Sequence, residues 1–231
     1  MLDRLELLVG TEGISKLKNS KVVVVGLGGV GGYVVESLVR SGIENITLVD
    51  YDTIDESNLN RQIIATRDNI GKLKVDEFEK RILSINDKVN VVKLPIFVDE
   101  NNFEDLFLDD ITYIIDACDT IKTKELIISK CLEKNIKFIT CLGTGKRMDP
   151  AKLKICDIRE TKYDPIARIL RKYVKDMNIK DKILCCYSEE EPIKYDSNII
   201  GSNSFVPSSA GLLISSYVVR DICKWKETNF I

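Results

Sequence analysis

A glycine cluster, Gly26-Leu27-Gly28-Gly29-Val30-Gly31, follows the β-branched run Lys21–Val25 and precedes a helical pattern. Glycines let a backbone turn tightly and approach a phosphate, whose charge the free amides of a helix N-terminus favour. Asp50 ends the second predicted strand, where an acid accepts hydrogen bonds from ribose hydroxyls. To this point a dinucleotide and a nucleoside triphosphate fit equally well. The residues after Asp50 separate them. Asp52, Asn58 and Arg61 lie in the segment Asp50–Gln62, and Lys74 opens the next helix. Cleavage of a triphosphate requires such groups, because negative charge redistributes during in-line displacement and fixed cations stabilise it. A lysine in the first turn of a helix is unfavourable unless an anion accompanies it. Asp119, just past the fourth predicted strand in Asp116-Ala-Cys-Asp119, suits Mg²⁺ through oxygen ligands. It equally suits capping of the helix that begins at Thr120. Asp52 reads as a ligand or as an acid that structures its loop.

Composition narrows the chemistry further. The chain has 231 residues, a net charge of −2 and no histidine. Ser-His-Asp hydrolysis, Cys-His catalysis and His-ligated zinc are therefore closed to it. Arg, Lys, Asp, backbone amides and a metal are what remain. Seven cysteines form no C-x-x-C pair, and charged residues among the first twelve break any secretory signal. Free thiols and no signal imply a reducing cytoplasm. The weakly polar stretch Phe205–Val219 carries Pro207 and four serines, a poor membrane span, and no apolar tail precedes Ile231, so no membrane association is expected.

These residues need a scaffold that gathers strand ends. Strands are expected at 21–25, 46–49, 89–94, 113–115 and 138–140, with helices at 30–41, 73–85, 104–108 and 120–133. Such alternation implies an α/β fold, a Rossmann-like, doubly wound and mostly parallel sheet. Two short helices, interrupted by Gly10 and Gly13, precede it. After Pro150, strands at 152–158 and 182–187 flank a basic helix at 165–175, and a helix at 207–224 closes the chain. Segments 51–71 and 188–203 are long polar connections, the second expected to be mobile. One domain over 1–231 results, with N-terminal helices (1–18), a nucleotide-binding core (20–145) and a substrate or dimer extension (150–231).

Gly26-x-Gly28-Gly29-x-Gly31, Asp50-x-Asp52, Asn58-x-x-Arg61-Gln62, Lys74 and Asp119 together resemble the ThiF-like, ubiquitin-activating-type adenylyltransferases. The resemblance extends over nearly the whole chain to the branch of tRNA threonylcarbamoyladenosine dehydratases. Gly143-Thr-Gly145 with Met148-Asp-Pro150, Asp164-Pro-Ile-Ala-Arg168, Tyr187–Pro192 and Gly201–Pro207 carry it. It implies ATP and Mg²⁺ as cofactors and a tRNA bearing threonylcarbamoyladenosine as substrate. In that pattern Asp50 binds ribose, Asn58, Arg61 and Lys74 bind the phosphates, and Asp119 binds magnesium. Arg4 matches an arginine that reaches into the partner's site of a homodimer. The resemblance implies that the threonyl carboxylate is joined to AMP and that the neighbouring carbamoyl group then displaces AMP, closing a ring. Attack within one side chain benefits from high effective molarity.

Arg168, Arg171, Lys172 and Lys175 share one helix face, either a solvated stripe or a phosphate-tracking surface for tRNA that Lys146 and Arg147 extend. Cys118 and Cys141, at strand ends, are expected to be structural, although some relatives form thioesters. Competing readings are an adenylyltransferase for a ubiquitin-like sulfur carrier, an inert binding subunit and an NAD-linked oxidoreductase. The sulfur-carrier enzymes usually hold zinc in two C-x-x-C pairs, absent here. A cysteine-desulfurase or sulfur-acceptor partner is left open.

Overall fold

The structure, a computed structural model, describes residues 1–107 and 110–225. Its elements in chain order are α1 (Asp3–Asn19), β1 (Lys21–Val25), α2 (Gly31–Arg40), β2 (Asn45–Val49), α3 (Lys74–Ile85), β3 (Asn90–Leu94) and β4 (Tyr113–Asp116). They continue as α4 (Ile121–Glu133), β5 (Lys137–Cys141), β6 (Leu153–Asp157), α5 (Pro165–Asp176), β7 (Leu184–Ser188) and α6 (Val206–Cys223). The strands form one sheet of seven, ordered β3-β2-β1-β4-β5-β7-β6. Only the β6–β7 pair is antiparallel. The α/β, doubly wound fold expected from the alternation is the one observed.

The valine run of β1 shows why such a sheet must be covered on both faces. Successive strand residues point to opposite sides. Val22 and Val24 join the core beneath α1, α2, α3 and α6, while Val23 and Val25 join the core beneath α4 and α5. All four are buried, each worth about 1.5–3 kcal/mol relative to exposure. The sheet order reverses at β1, which has β2 on one side and β4 on the other. Crevices at the carboxyl ends of strands open at such a switch point. The ends are level there, with Val25 opposite both Val49 and Asp116.

Several local expectations were modified. The helical path of α1 breaks at Gly10 (φ 71°, ψ 168°) as expected, but Gly13 does not interrupt it. Gly13 is instead a close-packing position, where a Cβ would lie 3.4 Å from Cys223 Sγ of α6. The short helix expected at 104–108 is a 3₁₀ turn, Phe103–Phe107; Leu108 and the residues after Trp225 lie outside the described residues. The 51–71 connection is organised by its own side chains. Asn58 Oδ1 accepts from the Asp55 amide at 3.1 Å, and buried Asn69 donates to the Ile64 carbonyl at 2.8 Å. Segment 188–203 contains a single strand residue, Ser188, yet is tied down elsewhere. Lys146 N donates to Gly201 O at 2.9 Å, and Asn60 Nδ2 donates to Ser202 O at 3.0 Å.

Candidate functional site

A cavity of about 680 Å³ opens over the carboxyl ends of β1, β2, β4 and β5. The glycine loop forms its floor, and geometry dictates the residue type. Gly26 has φ 87°, and a Cβ there would lie 2.8 Å from the Cys118 nitrogen. A Cβ on Gly31 would sit 1.8 Å from the Gly26 carbonyl oxygen, so the turn into α2 closes only with glycine. Gly28 differs: the nearest atom to its Cβ position is Gln62 Nε2 at 3.8 Å, and the residue borders the cavity. The space a side chain would take is thus free for a ligand.

Asp50, Asp52, Asn58, Arg61, Lys74 and Asp119 all border the same cavity. Asp50 straps the glycine loop to β2: its Oδ2 accepts from the Leu27 amide at 2.7 Å and its Oδ1 from the Asp52 amide at 2.8 Å. A carboxylate offers about four acceptor positions, so ribose hydroxyls can still be received. Burial pushes the Asp50 carboxyl above the usual range, against the pull of the Lys74 ammonium and the two amides. Lys74 is only 4% exposed. Its Nζ lies 2.8 Å from Asp52 Oδ2 and 3.7 Å from Asp50 Oδ2, which satisfies a cation at a helix start. Arg61 is half-buried, its Nη1 donating to Ser57 O and Asn60 Oδ1 at 2.8 and 2.9 Å. Asp119 is exposed and borders the cavity just past β4. Arg4 lies in the first turn of α1, exposed and apart from this cavity.

Beneath Asp119 is a network that spacing did not reveal. Lys124 and Asp116 are both fully buried, with Lys124 Nζ 3.1 and 3.0 Å from the two Asp116 oxygens. Lys124 also donates to Cys141 O at 2.7 Å, and Thr140 Oγ1 donates to Asp116 Oδ2 at 2.5 Å. Burial opposes the charge on Lys124, but the paired Asp116 carboxylate outweighs it and holds the group above the usual lysine range. A lysine in a helix is taken as exposed by default, which is why it escaped notice. Gln62, named in the motif without a role of its own, is buried on the cavity, and its Oε1 lacks a partner among the described residues.

The basic residues divide. Arg168, Lys172 and Lys175 are exposed on α5, with Lys172 paired to Asp176 at 2.6 Å. Arg171 turns back to the Thr161 carbonyl at 3.0 Å and to its hydroxyl. Arg147 is not part of an exposed stripe. It is 2% exposed and borders the cavity, because its loop folds inward under the segment at Gly201. Lys146 places its ammonium 4.6 Å from the Tyr195 ring centre. Cys118 is pushed well above the ordinary thiol range by burial and by Asp116, so it is held as a thiol, not a nucleophilic thiolate.

Comparison with known proteins places the chain among named relatives and solved structures. The chain is 38% identical to tRNA threonylcarbamoyladenosine dehydratase of Bacillus subtilis over 96% of its own length and 94% of the relative's. The crystal structure of E. coli tRNA N6-threonylcarbamoyladenosine dehydratase, TcdA, in complex with AMP aligns with a TM-score of 0.89 at 31% identity, covering 95% of this chain and 92% of that one. The same E. coli protein is also solved in complex with ATP, again at a TM-score of 0.89. An adenylyltransferase and sulfurtransferase of Vanderwaltozyma polyspora, UBA4, is 38% identical but over only 59% of this chain and 31% of its own. The ThiF family matches residues 2–228, and the chain belongs to that family.

Proposed function

We infer that this chain is an ATP-dependent tRNA threonylcarbamoyladenosine dehydratase acting through an acyl-adenylate. The observation that carries this reading is the sharing of one cavity by an open phosphate cradle at Gly28, the cations Arg61 and Lys74, and the carboxylate of Asp119. That arrangement leaves room for a nucleotide and for a carboxylate to meet its α-phosphate. The full-length similarity to dehydratases, one of them solved with AMP and with ATP, supports the same activity.

In the reaction the threonyl carboxylate oxygen attacks the α-phosphorus of ATP and pyrophosphate leaves. The carbamoyl group then attacks the activated carbonyl carbon, AMP departs with the former carboxylate oxygen, and the proton lost balances the release. The nucleoside loses one water. Asp50 holds the ribose, while Asn58, Arg61 and Lys74 hold the phosphates. Lys74 exchanges part of its contact with Asp52 for the ligand's charge. No histidine is needed, since activation by AMP and positioning by cations suffice.

For Mg²⁺ the donor set fits: Asp119 presents a free carboxylate to the cavity, and Mg²⁺ is usually held by one or two carboxylates together with substrate phosphates. Such an ion neutralises phosphate charge when bound. Arg4, exposed and remote from its own cavity, serves the site of a second copy in a homodimer. The exposed cations of α5 take tRNA phosphates, and the protein works in the cytoplasm. Among the described residues no helix is long and apolar enough to cross a membrane.

The test is mass spectrometry of nucleosides from tRNA carrying threonylcarbamoyladenosine after incubation with protein, ATP and Mg²⁺. Loss of one water, with AMP and pyrophosphate formed in equal amounts, is expected. An unchanged nucleoside, with pyrophosphate exchange supported by a Gly-Gly-ended carrier protein instead, would favour the sulfur-carrier reading.

A further inference from the structure

Arg147 lies in the cavity wall at the side away from Lys74, in the loop that follows β5. Its Nη2 donates to the Tyr163 carbonyl at 3.2 Å, while its Nε and Nη1 are buried and have no partner. A guanidinium is donor-only and does not lose its charge, so most of its donor fork is desolvated without return. Asp164 and Glu190 are near enough to favour the charge but do not accept from it. Leaving buried charged donors unpaired is costly, and such a group in a cavity wall points to a missing oxygen ligand.

The backbone around this side chain is held in place from several directions. Lys146 and Tyr163, the residue before Arg147 and the residue whose carbonyl it grips, are both left-handed, at φ 59° and 57°. Strained non-glycine residues persist where surroundings over-determine them, and they gather at binding sites. Here the surroundings are visible. Asn203 Nδ2 donates to Arg147 O at 2.7 Å, and Glu190 accepts from the Met148 and Asp149 amides at 2.9 and 2.8 Å. Asn203 Oδ1 also accepts from the Val206 amide at 2.9 Å, tying the loop to the start of α6.

We propose that Arg147 binds the carboxylate of the acyl substrate and presents it to the nucleotide from the β5 side of the cavity. The proposal rests on the adenylation reading above and adds the residue that recognises the group being activated. Position favours a carboxylate over ATP phosphate: Arg61 and Lys74 already serve the β1–β2 side, and Arg147 faces them from beyond β4. Chemistry permits it, because a guanidinium pairs with a carboxylate through charge-assisted hydrogen bonds. Ile200 and Ser202 border the same cavity, so the 200–202 segment must move aside for a carboxylate to reach the enclosed nitrogens.

The experiment measures binding, without ATP, of tRNA with and without the threonylcarbamoyl group to the wild-type protein, Arg147→Met and Arg147→Lys. ATP affinity and melting temperature are recorded for each. The wild type is expected to prefer modified tRNA. Arg147→Met should lose about 10- to 100-fold in affinity for modified tRNA only, with ATP affinity unchanged, and Arg147→Lys should lie between. Equal loss for both tRNAs identifies a backbone-phosphate contact and overturns the proposal; so does weakened ATP binding, or an undiminished preference. If Arg147→Met melts early, Arg147→Lys decides by the same comparison. Absence of ATP-dependent water loss with the wild-type protein would instead sink the adenylation reading itself.

Discussion

Lys124 Nζ lies 3.0 Å from Asp116 Oδ2, with both side chains fully enclosed under the strand ends that bear the cavity. Each charge is tolerable only because of the other. Removing the ammonium leaves a buried carboxylate whose remaining donors, Thr140 and the amide and thiol of Cys118, do not neutralise it. Lys124→Met should therefore destabilise the protein by about 3–5 kcal/mol, and Asp116→Asn with Lys124→Met should recover much of that loss. Urea unfolding of the two variants checks this; equal stability of single mutant and wild type would refute it. The pH sign follows from the raised lysine value. The contribution is complete below the ordinary lysine range and is lost as pH rises through the higher folded value, so wild type but not Lys124→Met should weaken there.

Arg61→Ala and Lys74→Ala should each reduce AMP formation by about 10²–10³-fold if the two cations stabilise the charge that develops on the leaving phosphates. The side-chain hydrogen bonds of Arg61 go to neighbours in its own loop, so Arg61→Ala should melt close to wild type. Lys74→Ala also removes the cation from between Asp50 and Asp52, and should weaken ATP binding in addition. Single-turnover AMP release and ATP titration separate the two effects. Full activity in either variant contradicts the assigned role.

The raised carboxyl of Asp50 gives a nucleotide affinity that depends on pH. It loses its charge at a higher pH than an ordinary aspartate, because burial disfavours the ionised form. ATP affinity should thus fall as pH is lowered into the upper carboxylate range. Asp50→Asn should bind weakly and without that dependence, apart from the titration of ATP itself, which both proteins share. Isothermal titration across pH tests it, and parallel curves for the two proteins count against Asp50 as a ligand. Because the folded value is raised, the ionised carboxylate costs stability at neutral pH, and Asp50→Asn should not lower the melting temperature through lost charge alone.

The glycines of the loop should behave differently from one another. Gly31→Ala forces a methyl to within 1.8 Å of a backbone oxygen, so it should lower the melting temperature and abolish nucleotide binding together. Gly28→Ala meets no atom nearer than 3.8 Å, so the fold should survive while ATP affinity drops. Thermal melts with ATP titration distinguish the cases. Undiminished ATP binding by Gly28→Ala places the phosphates elsewhere.

Much of this protein was legible in one dimension because its determinants are local. A valine run, a glycine cluster and a capped helix lie within a few residues of one another, so periodicity and turn chemistry locate β1, the loop and α2. Asp50, Arg61, Lys74 and Asp119 follow strand ends, and strand ends meet wherever parallel strands align. The remainder depended on contacts distant in sequence. Lys124 and Arg147 look like ordinary surface cations until β4, β5 and the Gly201 segment close around them. Burial is a property of the packed chain, set by which elements come to rest on which, and burial is what turns one of these cations into a strut and leaves the other seeking a partner.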